Sequence, residues 1–356
     1  MMSLALALAI ICAALIGIIN PVMAHPHGTT YHVTQGQSIQ AIIDKAHVGD
    51  KIIVEAGTYA EQLTISTDGL TLEGHDAKIV PPPPASTAKN SCTGLAGPDN
   101  PDAGICIQGS GIVFSTAPFD TEHVKVVSVG KRVKDTSIKG FTVTGFNGLD
   151  IAVLGAQDAH VSENTVSSGA RYGILTVGSK NSNIKHNTVI FEPGYFDFSY
   201  IGICMDDVST VTIAHNDVSG HVIGLCIETA GADIHDNNVH ETCVGAYVDP
   251  GIKGAKLHHN TFSNTALGCV PQFSAGIIIA GGINTVVEDN TFSGIKNAGA
   301  LQLVDDDASG TVASGNQIEK NNFTGNDLDI YDTATGKGNV IKKNVCVSSV
   351  PTSLCS

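Results

Sequence analysis

The chain contains no tryptophan, and aromatic residues make up only 5% of it. A core built on large rings is excluded, so slim aliphatic stacks must fill the interior. Basic residues are also few. Nineteen Lys and Arg stand against 34 Asp and Glu, and the only arginines are Arg132 and Arg171. The formal net charge of −15 argues against nucleic acid and anionic membranes as partners. A polyanionic ligand would need local Lys, Arg or a bridging cation. One long apolar run is present, at residues 4–19, and it ends in the small-residue site Val22-Met23-Ala24. It reads as a secretory signal, residues 1–24, although a basic n-region is missing. A membrane anchor would need about 20 apolar residues with flanking positive charge.

Cleavage after Ala24 would make His25 the first residue, followed by Pro26 and His27. Two imidazoles there could hold copper; the plainer reading is a disordered tail. Of nine cysteines, Cys12 leaves with the signal. The other eight pair most simply in order, as Cys92–Cys106, Cys204–Cys226, Cys243–Cys269 and Cys346–Cys355, although sequence alone does not exclude other connectivities. Their number suits export to an oxidising compartment, and a cysteine metal site is the weaker reading there.

Between Val161 and Cys346 a six-residue phrase returns: apolar, two polar residues, Asn, any residue, apolar. It reads VSENTV, IKHNTV, IAHNDV, IHDNNV, LHHNTF, VEDNTF, IEKNNF and IKKNVC. The asparagines are Asn164, Asn187, Asn216, Asn237, Asn260, Asn290, Asn321 and Asn344, spaced 21 to 31 residues apart. That period is the mark of a solenoid. A second phrase, Gly followed by alternating residues, falls between most of them: GILTV, GICMD, GLCIE, GAYVD and GIIIA. Two short strands per repeat, joined by loops too short for a helix, imply coils about 4.8 Å apart. A buried Asn at the same turn of each coil can donate to one neighbour and accept from the other. The expected fold is all-β: a single-stranded right-handed parallel β-helix with an internal Asn ladder.

The repeats resemble those of the pectate-lyase-like superfamily of right-handed β-helix proteins over residues 36–346. That fold carries lyases, hydrolases, epimerases, copper-maturation factors and adhesins, so it does not fix a reaction. Residues 36–59, with SIQAIIDKA at helical spacing and then KIIVEAGTY, are similar to the opening of many β-helix enzymes and are expected to form an N-terminal capping helix and first strand. The mature domain is residues 25–356. A Pro-rich insertion at 81–110 interrupts it, coils resume near Ile112, and Phe141 stands where Asn stands later. By analogy such an insertion walls a groove.

Aligned on their glycine, the Gly strands place Ile174, Ile203, Leu225, Ala246 and Ile277 inward, so the second and fourth residues point out. The fourth position reads Val177, Asp206, Glu228, Asp249 and Ala280. Three stacked carboxylates could bind Ca2+ or share a proton for acid–base work; a solvated acidic stripe is the bland alternative. Tyr247, Arg171 and His221 lie near the column in the same frame. Arg171 could neutralise a substrate carboxylate while Tyr247 and His221 shuttle the proton alpha to it, or it could be a structural salt-bridge partner. A loop with Phe191, Tyr195, Phe196, Phe198 and Tyr200 suits sugar stacking or a local apolar cluster, and Asp207 adds a polar group at the strand end. GAYVDPG is similar to the Tyr–Asp-Pro segment of alginate C5-epimerases, with Asp249 and Pro250 at matching positions and Gly251 where that family has His. The trio Asp206, Asp207 and His221 is faintly similar to polygalacturonases, whose Asn-Thr-Asp and Arg-Ile-Lys motifs are absent.

His186, His215 and His259 precede their ladder asparagines, and His235 and His258 lie one residue further back. They could bind a transition metal, but Asp236 interrupts the set and a structural or surface role is favoured. Asn322 opens a glycosylation sequon. The resulting expectation is a secreted, extracellular, monomeric polysaccharide lyase or epimerase acting on uronate chains. The alternatives are a glycosidase with paired carboxylates, or a non-catalytic wall-binding or copper-handling protein.

Overall fold

The computed structural model describes residues 28–83, 89–99, 101–116, 123–191, 200–206 and 208–355. The signal segment, His25, His27, Tyr195, Phe196, Phe198 and Asp207 lie outside them. The chain winds as a right-handed parallel β-helix. One sheet of eleven parallel strands, from Leu63–Ile65 to Ser349–Val350, collects the Gly strands. A second sheet of twenty strands collects those on either side of the asparagines.

The asparagines form the expected ladder. The Asn187 backbone N–H and Nδ2 both donate to Asn216 Oδ1, at 2.9 and 3.0 Å, and Nδ2 also reaches the Val161 carbonyl at 2.9 Å. The same bonds repeat from Asn164 to Asn344. Phe141 closes the ladder by donating its backbone N–H to Asn164 Oδ1 at 3.1 Å. The residue before each asparagine has a positive φ: Glu163, His186, His215, Asp236, His259, Asp289, Lys320 and Lys343, at 55–60°. That left-handed step turns the Asn inward, and Asp and His tolerate it better than most residues. A second, shorter ladder was not foreseen. Thr285 N–H donates to Asn316 Oδ1 at 2.8 Å, and Asn316 Nδ2 donates to Asn339 Oδ1 at 3.0 Å.

Inside, Val, Ile and Leu stack with Phe262, Phe292 and Phe323, whose rings lie 5.4 and 4.6 Å apart. The repeated glycine has a steric cause. A Cβ on Gly202 would sit 2.6 Å from Val218 Cγ1 and 2.7 Å from the Gly224 carbonyl oxygen. Asp150 occupies the glycine position of its own coil, because Leu149 pairs with Tyr172 and Ile151 with Ile174. Its carboxyl is fully buried, and burial raises its pKa well above the usual range, against the backbone amides of Phe146 and Gly169.

The cap is a short helix, Ile39–Ile43, with Ile39 and Ile43 in the core. Ser38 caps it, and Glu61 accepts from Ser38 Oγ, Ile39 N and Gln40 N at 2.8–3.1 Å. A carboxylate at a helix N-terminus is favourable. All four expected disulfides are present. No helix among the described residues is long and apolar enough to cross a membrane.

The insertion differs from the expected loop at 81–110. Ala103–Gln108 is a strand of the Gly sheet, paired with Leu63–Ile65 and Leu149–Leu154. The extra structure continues beyond it as an antiparallel hairpin, Ser110–Phe114 with Val126–Lys131. Coils therefore do not resume at Ile112. They resume after the hairpin, at Val133–Lys134 and Ser137–Thr144.

Candidate functional site

Alternation in the Gly sheet is as expected, and Ile174, Ile203, Leu225, Ala246 and Ile277 are fully buried in the core. Met205 pairs with Ile227 and Ile227 with Val248, which sets Asp206, Glu228 and Asp249 side by side on three consecutive coils. Cys204, Cys226 and Tyr247 form the second outward row of those coils.

The three acids share a column but not an environment. The insertion lies on the sheet as a roof rather than beside it as a wall. Cys92, Leu95, Ala96 and Val126 pack with Tyr172, Leu175, Val177, Ile201, Cys204 and Cys226 in one apolar cluster. Under the roof Glu228 is 0% exposed. Lys125 Nζ donates to Glu228 Oε2, and His123 Nε2 lies 3.7 Å from the same oxygen. The Cys204 and Cys226 sulfurs stand 3.4 and 3.0 Å from Oε1. His123 is held neutral: burial first, then the Lys125 charge, lowers its pKa to about 3. The grouping of His123, Cys204 and Glu228 resembles a metal centre, but its sulfur is tied in a disulfide and its carboxylate already binds an ammonium. Asp206 is 2% exposed and accepts from the Gly178 amide at 3.0–3.1 Å. Asp249 alone of the three is half-buried, with access to solvent.

His221 is also buried, against Gly202 and the Val189 backbone, and burial lowers its pKa to about 4. It lies beneath the sheet, apart from the outward column. Arg171 donates Nη1 to the Ala96 carbonyl at 3.2 Å, so the insertion fixes its position. Arg171, Tyr172, Tyr200, Ile201, Val222, Ile223 and Phe273 line a cavity of about 470 Å³. Tyr200 is 50% exposed at its mouth. Phe273 lies 6.3 Å from the Tyr247 ring, ring centre to ring centre, and so joins the cavity to the strand Val244–Val248, which Asp249 follows. The structure thus places Arg171 and Tyr200 at the cavity, on the leading ends of the Gly strands, and Asp249 just past the trailing end of a strand three coils from Arg171, with Tyr247 between, while it takes Asp206, Glu228 and His221 out of solvent. Asn322 is exposed on its strand.

Comparison with known proteins agrees with this architecture. A family model described as right-handed beta helix region matches residues 201–353, and one described as periplasmic copper-binding protein (NosD) matches residues 102–271. No curated protein matches the chain. Among solved structures, the A-module of an Azotobacter vinelandii mannuronan C-5 epimerase is similar, with TM-score 0.57 and 13% identity over 87% of this chain and 94% of that one. A DFA-IIIase from Arthrobacter chlorophenolicus A6 gives 0.55 and 13%, over 90% and 87%. The Streptococcus pneumoniae surface adhesin PfbA gives 0.53 and 13%, over 86% and 85%. At this identity the likeness establishes the fold. The chain has a right-handed parallel β-helix architecture.

Proposed function

We propose that this is an exported polysaccharide-acting protein, a lyase or epimerase of uronate-containing chains. Its working site is the open end of the Gly sheet. The observation that carries the reading is the cavity with a guanidinium and aromatic rings, which Phe273 links to Tyr247, on the same sheet face as Asp249, the one acid of the column with access to solvent. Tyr200 and Phe273 offer faces for sugar rings. Arg171 pairs with a uronate carboxylate of the bound chain at the cavity. Asp249 and Tyr247, further along the same face, exchange the proton alpha to the carboxylate of another sugar unit of that chain; loss of the 4-linked oxygen gives elimination, and return of a proton from the other face gives epimerisation. The epimerase fold relationship and the Asp249-Pro250 segment support this class. The four disulfides suit an oxidising compartment.

A glycosidase needs two carboxyl groups that both reach the substrate. The burial of Asp206 and Glu228 supports that reading less. A Ca2+ ion spanning the column is supported less for the same reason, since Lys125 and the Gly178 amide already engage those oxygens. The test is incubation with a panel of uronate polysaccharides. Ultraviolet absorbance follows the unsaturated product and proton NMR follows C5 inversion. Asp249→Ala is expected to lower either signal about 10²–10⁴-fold. Full activity in Asp249→Ala and Arg171→Ala would refute the site.

A further inference from the structure

On the opposite side of the coil from the cavity, the ladder turns carry a strip of imidazoles. His186 and His215 stack with ring centroids 4.8 Å apart, His235 and His258 stack at 5.0 Å, and His215 meets His235 edge-on at 5.7 Å. The backbone sets this arrangement. His186, His215, Asp236 and His259 occupy the same left-handed step on consecutive coils, and His235 and His258 precede that step on paired strands. Asp236, which breaks the histidine column in the sequence, stands between the others in space. Its Oδ2 lies 2.7 Å from His235 Nδ1 and 3.9 Å from His215 Nε2. One donor atom from each of His215, His235 and Asp236 falls within 4.8 Å of the other two.

We infer that His215, His235 and Asp236 form a binding site for a first-row divalent transition-metal ion, separate from the sugar site. Two imidazoles and a carboxylate suit Cu2+, Zn2+ or Ni2+ rather than Ca2+ or Mg2+. Donors about 2.0–2.2 Å from one ion require small rotations of these side chains. His215 and Asp236 are exposed and His235 is half-exposed, so such rotations are open to them. Neighbours hold the rings from outside: His258 stacks on His235 and pairs its Nε2 with Asp233 Oδ1 at 3.0 Å, and His186 stacks on His215. Partners of this kind orient metal-binding imidazoles. Three protein ligands at the surface leave a coordination position open, which suits an ion that exchanges with solvent or another carrier. The acidic protein attracts cations, and the segment similar to the copper-binding family contains the whole strip.

The test is equilibrium dialysis and calorimetric titration of the full mature chain with Cu2+ and with Zn2+, with electron paramagnetic resonance of the Cu2+ form. One ion should bind per chain, with nitrogen hyperfine coupling. His215→Ala, His235→Ala and Asp236→Asn should each weaken binding at least tenfold while leaving the circular dichroism melt unchanged. A His25→Ala/His27→Ala variant should keep the site. Parent affinity in the His215→Ala/His235→Ala double variant, or loss of binding in the His25→Ala/His27→Ala variant, would overturn the assignment.

Discussion

Replacing Asn237 by alanine removes five hydrogen bonds from the middle of the ladder. Its Nδ2 donates to the carbonyls of Ile213 and His235 and to Asn260 Oδ1, and its Oδ1 accepts from both Asn216 N–H and Asn216 Nδ2. Some partners survive the change: Asn260 Oδ1 keeps the Asn237 backbone N–H, and Asn216 Nδ2 keeps the Ile184 carbonyl. The buried Asn216 amide loses its acceptor and the Ile213 carbonyl loses a donor. An orphaned buried amide costs about 1–3 kcal/mol and the weakened carbonyl roughly another 1, so the expected cost is about 2–4 kcal/mol. Asn344 ends the ladder and is half-buried, so water replaces its partners and Asn344→Ala should cost about 0.5–1.5 kcal/mol. Asn237→Asp keeps the acceptor but turns a carboxylate toward Asn260 Oδ1. It should be worse than alanine at neutral pH and recover on acidification. Urea unfolding followed by two probes measures the global cost. Native-state hydrogen exchange at coils 213–260 reads the local one, since a solenoid can open in part. An Asn237→Ala variant no less stable than Asn344→Ala would refute the ladder as a buried, mutually dependent network.

Further outcomes concern pH. Burial lowers the His123 and His221 pKa values to about 3 and 4, against 6.5 unfolded. The unfolded chain therefore takes up protons first on acidification. Stability is full above pH 6.5 and falls by about 1.4 kcal/mol per pH unit for each group down to its folded value. His221→Asn should flatten part of that slope in melts between pH 6.5 and 4; an unchanged slope would count against its burial as a neutral ring. Asp150 has the opposite sign. Its raised pKa makes stability largest at low pH and lost as pH rises from the unfolded value near 4 toward the folded one. Asp150→Asn should therefore gain relative to the parent as pH rises from 4, a trend that thermal melts would contradict if the difference stayed constant.

Repetition decided how much of this was legible. The Asn phrase recurs in eight coils, so it fixed the ladder, the inward and outward faces, and the column of Asp206, Glu228 and Asp249. Cysteines one coil apart were readable for the same reason. The second ladder had a fainter signal, SGNQI and KGNVI around Asn316 and Asn339, which two copies did not raise above chance. The roof was not legible. Nothing local in residues 89–131 says that Lys125 will reach a glutamate 103 positions away. The burial of Asp206 and Glu228 follows from that docking, not from their own strands. His221 is similar: its inward turn depends on Gly202 of the preceding coil leaving room. The histidine cluster was half legible, because sequence shows a column broken by Asp whereas the coil places that Asp between two rings.

The roof also changes how the solenoid holds together. In a plain stack each coil touches only its neighbours, and the ends can fray without informing the middle. Here a segment from between the early coils is bonded through Lys125 to Glu228 and packed on the sheet from Cys106 to Cys226. Those coils can separate only if the strap lets go, so they should unfold as one block. The coils beyond Asp249 lie outside the strap and keep the independence of ordinary repeats. The proposed sugar site stands at the boundary, where a fixed half of the molecule meets a half that can breathe.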